Sequence, residues 1–276
     1  MLRTLGAHDV LSALALEQAG HEMVFVGGFG VAASMLGLPD IGLLTLSEMV
    51  DTVRRMALRL SIPIVADADT GHGDLQNVVR TVRELEQAGA AGILLEDQVT
   101  PKRCGHFAGK QLIPAAEMVT KLKMALDARR DQDFVLIART DARGVEGFDA
   151  AVERANRYAE AGADMCFVEA PQCREELEQL PGLVPKPQLV NMLTGGLTPI
   201  LPAEELERLG YKIMVCPVAS LLMMVAGMRR LTDTLAAQGR VDGLQDQMIQ
   251  FAALKRMLGL DAILNYFDEQ QQAKSS

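Results

Sequence analysis

The sequence predicts an α/β fold, a (β/α)8 TIM barrel with additional C-terminal helices. Three observations carry that prediction. A helix ending, a glycine and a short apolar run recur as a unit at Leu16-Glu17-Gln18-Ala19-Gly20, at Leu85-Glu86-Gln87-Ala88-Gly89 and, more loosely, at Tyr158-Ala159-Glu160-Ala161-Gly162. The length of 276 residues suits one barrel of this kind. Polar residues also stand at the C-terminal ends of successive apolar runs, the face where a barrel gathers its active site. Glycine after a helix takes the left-handed cap conformation, and a helix passing through such a cap into a buried strand is the βα repeat of a parallel sheet. An open doubly wound sheet is the alternative built from the same repeat.

In chain order, residues 2–7 have room for a first strand, and residues 9–18 read as a helix. The next apolar runs are 23–26, 64–66, 91–95, 134–138, 165–168, 188–190 and 212–216. Thr45-Leu46-Ser47-Glu48 has the form of a capping box, opening a helix to about residue 60. Asp74 or Leu75 opens the helix that ends at Gly89, and Pro114 starts one through Ala128. Residues 148–161 and 202–209 complete the helices between strands. A long helix is expected from about 218 to 237, shorter ones at about 245–258 and 261–269, and a frayed tail from Gln270. No linker composition divides the chain, so residues 1–276 read as one barrel domain, with the helices of about 218–269 serving oligomer packing.

Composition narrows the function. Hydrophobic residues make up 49% and mean hydropathy is +0.13, but aromatics are 4% and Trp is absent, so the core is aliphatic. A net charge of −9 excludes a general nucleic-acid surface. No apolar run reaches membrane-spanning length, and the N-terminus lacks a signal-peptide layout. Cys104, Cys166, Cys173 and Cys216 form no C-x-x-C pair or disulfide framework, which points to reduced thiols in the cytoplasm.

The strand ends carry the chemistry. Asp67 and Asp69 end the third apolar run, and alternation in a strand would put them on one face. Two such carboxylates repel unless a cation lies between them, and a hard divalent ion suits oxygen ligands. The other ends are Gly27-Gly28-Phe29, Glu96-Asp97, Arg139-Thr140-Asp141, Glu169 and Asn191. One charged strand end is ordinary, but several converging on one mouth indicate a site. Arg139 offers a fork of donors to a substrate carboxylate, and Gly27 and Gly28 allow close approach of backbone N–H groups. Asp40, in the loop after the second strand, could add a carboxylate. The loop 98–111 is polar, basic and longer than a usual βα connection, as active-site lids often are. Within it Cys104 stands among Lys102, Arg103 and His106, a cationic setting that favours the thiolate in the empty enzyme. Cys166 and Cys216 read as core, and His8 and His21 as structural or exposed. His72 adjoins the acidic turn but is not expected to be a Mg²⁺ ligand.

On these motifs the chain resembles the isocitrate lyase and phosphoenolpyruvate mutase superfamily. The matching stretches are Gly6-Ala7-His8-Asp9, Gly37-Leu38-Pro39-Asp40, Ala66-Asp67-Ala68-Asp69-Thr70-Gly71, Asn77-Val78-Val79-Arg80-Thr81-Val82, Leu95-Glu96-Asp97-Gln98 and Ala138-Arg139-Thr140-Asp141-Ala142. Within it, Pro101-Lys102-Arg103-Cys104-Gly105-His106 is similar to the methylisocitrate lyase and 2,3-dimethylmalate lyase group. The resemblance implies a homotetrameric barrel whose last helix packs on a neighbour. It implies Mg²⁺, with Mn²⁺ as a substitute, held by Asp67 directly and by Asp40, Asp69 and Glu96 through water. The implied substrate is a 2-hydroxy di- or tricarboxylic acid, cleaved between C2 and C3 to a 2-oxo acid and a carboxylic acid. Arg139, Cys104 and His106 are the implied catalytic groups, with Cys104 protonating the departing carbon. Gly27, Gly28, Phe29, Gly105, Glu169 and Asn191 are the implied substrate-binding positions. Gly27, Thr194 and Leu222 depart from residues common in relatives (Ser, Glu and Arg), which bears on the substrate rather than the reaction class. An oxaloacetate decarboxylase, or a phosphonopyruvate or acylpyruvate hydrolase, would use the same fold without Cys104. A non-catalytic binding barrel would leave the acidic cluster unexplained.

Overall fold

The computed structural model describes residues 1–275. Eight parallel strands alternate with helices: β1 (Leu2–Leu5), β2 (Val24–Val26), β3 (Ile64–Asp67), β4 (Gly92–Glu96), β5 (Val135–Thr140), β6 (Met165–Val168), β7 (Leu189–Asn191) and β8 (Ile213–Cys216). Ladders join β2 through β6 in sequence, and join β1, β8 and β7. Two short parallel bridges span the seams between these groups. The Ala7 N–H donates to the Phe25 carbonyl at 2.8 Å beside the Gly6–Phe25 bridge, and Cys166 N–H donates to Pro187 at 3.0 Å beside Cys166–Gln188. This is the eight-stranded arrangement expected, rather than an open sheet.

The helices of the barrel are α1 (Val10–Gln18), α2 (Gly28–Val31), α3 (Leu46–Ala57), α4 (Leu75–Gln87), α5 (Ala115–Ala128), α6 (Phe148–Glu160), α7 (Arg174–Leu183) and α8 (Ala203–Leu209). The capping box is present, with Thr45 N–H donating to Glu48 Oε2 at 2.8 Å and Glu48 N–H to Thr45 Oγ1 at 3.4 Å. It starts α3 so that Leu46, Met49, Val50, Val53 and Met56 turn inward. Asp74 caps α4 through Leu75 N–H at 2.8 Å.

Strand alternation divides the core. Phe25, Val65, Leu94, Ile137, Phe167, Leu189, Ile213 and Val215 fill the interior of the barrel. Val24, Ile64, Ala66, Ile93, Leu95, Leu136 and Ala138 face outward, onto the helices. Burial of these side chains at roughly 1.5–3 kcal/mol each opposes the entropy cost of ordering the chain.

Contacts group the chain into two compact units, Met1–Leu221 and Leu222–Ser276. The second contains most of α9 (Ala219–Gln238), a 3₁₀ turn (Asp242–Gln247), α10 (Phe251–Met257) and α11 (Leu260–Ser275). Some sequence expectations need correction. The first strand stops at Leu5, α2 directly follows β2, and the helix expected over 245–258 is broken at Met248–Gln250. The tail expected to fray is helical through residue 275.

Candidate active site

Alternation also builds the mouth of the barrel. Asp67, Glu96, Arg139, Glu169 and Asn191 each stand two residues beyond an interior side chain, namely Val65, Leu94, Ile137, Phe167 and Leu189. They therefore point into the barrel axis at its C-terminal end. The same rule sends Asp97 and Thr140 outward. Asp97 accepts from Thr140 Oγ1 at 2.7 Å, Tyr158 OH at 2.7 Å, Asp141 N–H at 3.0 Å and Arg154 Nη1 at 3.3 Å. Asp97 and Thr140 thus leave the converging set and become part of its frame.

Asp69 joins Asp67 for a different reason from the one the sequence suggests. The strand ends at Asp67, and Asp69 takes a left-handed φ of 48°. The turn folds Asp69 N–H back onto Asp67 Oδ1 at 3.0 Å, while Gly28 N–H reaches Asp67 Oδ2 at 3.2 Å. The Gly28 amide, expected to face substrate, is taken by the carboxylate. Gly27 and Phe29 flank it, both partly exposed.

The acidic cluster holds a cation that the sequence reading placed elsewhere. Lys102 Nζ lies 2.6 Å from Asp40 Oδ1 and 2.7 Å from Asp69 Oδ1, and its side chain is 4% exposed. Burial opposes its charge, but Asp69, Glu96, Asp67 and Asp40 together hold its pKa well above the usual lysine value. Burial and the neighbouring Asp69 push Asp67 up to about 6. Burial raises Asp40, and raises Glu96 well above the usual range.

Arg139 is clamped. Its Nε and Nη2 lie 2.9 and 3.1 Å from the two Asp141 oxygens, and Nη2 is 3.4 Å from both Glu96 Oε2 and Glu169 Oε2. Its guanidinium carbon sits 5.6 Å from the Phe167 ring centroid. Part of the donor fork expected for substrate is therefore engaged by the protein, and burial is outweighed by Asp141, Glu96 and Glu169 in keeping the charge. Asn191 Nδ2 reaches Glu169 Oε2 at 3.3 Å.

The lid lies closed over this floor. Gln98 ties it at its base, donating to the Arg103 carbonyl at 2.8 Å and accepting Arg103 N–H at 3.0 Å. Cys104 N–H donates to the Asp40 carbonyl at 3.2 Å. His106 Nδ1 accepts Leu197 N–H at 3.1 Å, so the neutral ring carries its proton on Nε2, which faces Glu169 Oε1 at 3.4 Å. The thiolate expectation for Cys104 fails. Lys102 turns to Asp40 and Asp69, Arg103 to the Ala108 carbonyl at 3.0 Å, and burial pushes the thiol up to about 11. Burial therefore favours the protonated thiol at neutral pH. Gly105 is pressed onto the floor, where an added Cβ would lie 2.4 Å from Arg139 Nη2 and 2.5 Å from Glu169 Cγ. Gly105→Ala is therefore expected to prop the lid open and lower kcat/KM roughly 10²-fold with an unchanged melting temperature. Steady-state kinetics beside a thermal melt checks this.

His72 has no hydrogen-bond partner for its buried Nε2, and burial lowers its pKa. His8 stands 3.9 Å from Asp9, and His21 Nδ1 pairs with the Arg3 carbonyl at 2.9 Å. Thr194 is exposed, and Leu222 is 50% exposed in the second unit.

The donor set fits a hard cation. Six buried carboxylates (Asp40, Asp67, Asp69, Glu96, Asp141, Glu169) face three buried cations (Lys102, Lys110, Arg139). Glu96 is 0% exposed, and neither of its oxygens has a hydrogen-bond partner. No three His, Cys, Asp or Glu side chains among the described residues converge as a ready-made cage. An ion bound through one carboxylate and a shell of water needs no such cage, which is how Mg²⁺ is commonly held.

Buried polar side chains gathered at the C-terminal mouth of a parallel barrel, beneath a cysteine-bearing loop, are the architecture of an enzyme acting on a small molecule. The chain belongs to the phosphoenolpyruvate phosphomutase family, whose model matches residues 1–236. It is 44% identical over 258 residues to the 2,3-dimethylmalate lyase of Eubacterium barkeri, covering 94% of this chain and 89% of that one. It is 46% identical over 215 residues to the 2-methylisocitrate lyase of Aeropyrum pernix, covering 78% and 69%. A crystal structure of 2,3-dimethylmalate lyase superposes with a TM-score of 0.91 at 36% identity, covering 98% and 90%. A phosphonopyruvate hydrolase complex with oxalate and Mg²⁺ superposes with a TM-score of 0.85 at 28% identity, covering 96% and 92%.

Proposed function

We propose that the protein is a Mg²⁺-dependent carbon–carbon lyase. It cleaves the C2–C3 bond of a 2-hydroxy acid of the 2,3-dimethylmalate or 2-methylisocitrate type to pyruvate, or another 2-oxo acid, and a carboxylic acid. The observation that carries this reading is the half-buried Cys104 thiol on the loop tied to the Asp40 carbonyl, beside Arg139 and the carboxylate cluster. Asp67 would hold the metal directly, with Asp40, Asp69 and Glu96 on its water shell and Mn²⁺ as a substitute. When bound, the metal supplies a Lewis acid for the C2 oxygen. Arg139 would place a fixed positive charge beside that oxygen as its proton passes to an ionised carboxylate of the mouth and the C2–C3 bond breaks. The departing carbon becomes the aci form of a carboxylate, and Cys104 Sγ–H donates the proton that makes it the α-carbon of the acid product. Leu197 N–H orients the His106 ring beside Glu169, and His106 with Gly105 seats the lid. Gly27, Gly28, Phe29 and Asn191 line the substrate end of the mouth. A panel of 2,3-dimethylmalate, 2-methylisocitrate, isocitrate and oxaloacetate, analysed for products with Mg²⁺, tests the assignment. Pyruvate from a 2-hydroxy acid supports it, while turnover of oxaloacetate alone favours the hydrolase or decarboxylase reading.

The setting is cytoplasmic on this reading, since all four cysteines are free. Among the described residues no helix is long and apolar enough to cross a membrane. The partners are the small carboxylic acid and further copies of this chain, with no nucleic acid. Met223 and Phe251 are 73% and 74% exposed, and Leu222, Met224, Val225, Met228, Tyr266 and Phe267 are exposed as well. Such a concentration of apolar surface on the second unit supports a homotetramer. Light scattering at micromolar concentration should give the mass of four chains, and a monomer would contradict it.

A further inference from the structure

Lys110 has no part in the chemistry above, yet its side chain is 4% exposed. A lysine withdrawn from water needs strong partners. Its Nζ donates to the Gly105 carbonyl, inside the lid and next to Cys104, and to Asp141 Oδ1 at 3.0 Å. Asp141 is the carboxylate that grips Arg139. Asp141 is itself fixed, because Asp97 Oδ1 accepts its backbone N–H at 3.0 Å. Asp97 in turn is held by Thr140, Tyr158 and Arg154.

We propose that Lys110 is a positioning residue that latches the lid, its ammonium joining the Gly105 carbonyl to the carboxylate that sets Arg139. Seating the Cys104 thiol and setting the Arg139 guanidinium then become one event. The geometry favours a latch over a local prop, since Lys110 and the Gly105 carbonyl both lie in the lid while Asp141 lies just past the end of β5. The Gly105 backbone that Lys110 draws down is the segment that leaves no room for a side chain against Arg139 and Glu169. What closure serves rests on the lyase reading, but the latch itself can be measured without turnover.

The chain has no Trp, so Phe107→Trp creates a single reporter on the lid, at a position 43% exposed. Oxalate with Mg²⁺ is the probe, a planar dianion resembling a 2-oxo acid enolate. In the reporter background, stopped-flow fluorescence should show closure on oxalate binding. Lys110→Met should weaken closure and oxalate affinity roughly ten- to a hundredfold, with kcat falling more than KM rises. Lys110→Arg, which keeps the charge, should recover part of the loss. Closure and oxalate affinity equal to the parent in a folded Lys110→Met protein would overturn the proposal. Global unfolding of both Lys110→Met and Lys110→Gln would make the lysine a structural prop and also overturn it. Failure of the lyase reading shows instead in the product panel.

Discussion

Cys104→Ser should lower kcat roughly 10²–10⁴-fold, the usual loss when a positioned acid is removed. The hydroxyl keeps the shape but is a far weaker acid, so proton delivery to the departing carbon fails while binding persists. Asp67, Arg139 and Glu169 are untouched, so Mg²⁺ and dicarboxylate affinity should stay within a few-fold of wild type. The pKa direction gives a second check. Burial holds Cys104 near 11, so the thiol is the neutral, loaded acid before substrate arrives. Alkylation of Cys104 by iodoacetamide should therefore be slow at pH 7 and rise as pH climbs toward 11. Fast alkylation at pH 7 would show a thiolate, and a near-normal kcat for Cys104→Ser would remove the thiol from the mechanism.

Asp67→Asn should abolish turnover, with a loss of at least ~10³-fold, because the residue is the proposed direct metal ligand. Its effect on folding has the opposite sign. The native pKa of Asp67, about 6, lies above its ordinary value of 3.8, so ionisation is harder in the folded state. Its contribution to stability is complete below the unfolded pKa and is lost as pH rises through the folded one. In the metal-free protein the Asp67 contribution should thus be lost between about pH 4 and pH 6, and the difference between wild type and Asp67→Asn should follow that window. Mg²⁺ should raise the melting temperature more at pH 8 than at pH 5, by binding the native state alone. Thermal melts with and without chelator measure both effects, and full activity in excess chelator would end the metal reading.

The part of the site that rests on strand alternation was legible from sequence. Asp67, Glu96, Arg139, Glu169 and Asn191 follow interior residues by two positions, and a buried strand leaves their side chains one direction to take. Asp97 and Thr140 obey the same rule, and the period of two already places them on the other face. Asp69 came out on the correct side for the wrong reason, since a left-handed turn rather than the strand brings it round. The lid was harder. Lys102, Arg103 and Cys104 are adjacent in sequence, but in a loop neighbours share no face, and closure sends Lys102 to the carboxylates and Arg103 outward. The excess of acidic strand ends was the available signal for Lys102, because so many buried carboxylates need a nearby cation. Lys110 had no comparable signal: its partner Asp141 lies 31 residues further along the chain, on the far side of a strand and a helix. Exposed Met and Leu on α9 were readable as surplus apolar surface, whereas the break at Met248–Gln250 carried no strong turn residue.

The most direct test of the central claim is the fate of one solvent proton. Cleavage of the active 2-hydroxy acid in D₂O with Mg²⁺ should give an unlabelled 2-oxo acid under quenched, short-time conditions. The carboxylic acid product should carry one deuterium at its α-carbon, delivered to a single face by Cys104, as mass spectrometry and NMR would show. If no 2-hydroxy acid is cleaved and oxaloacetate instead yields oxalate and acetate, or pyruvate and CO₂, the carbon–carbon lyase account is contradicted.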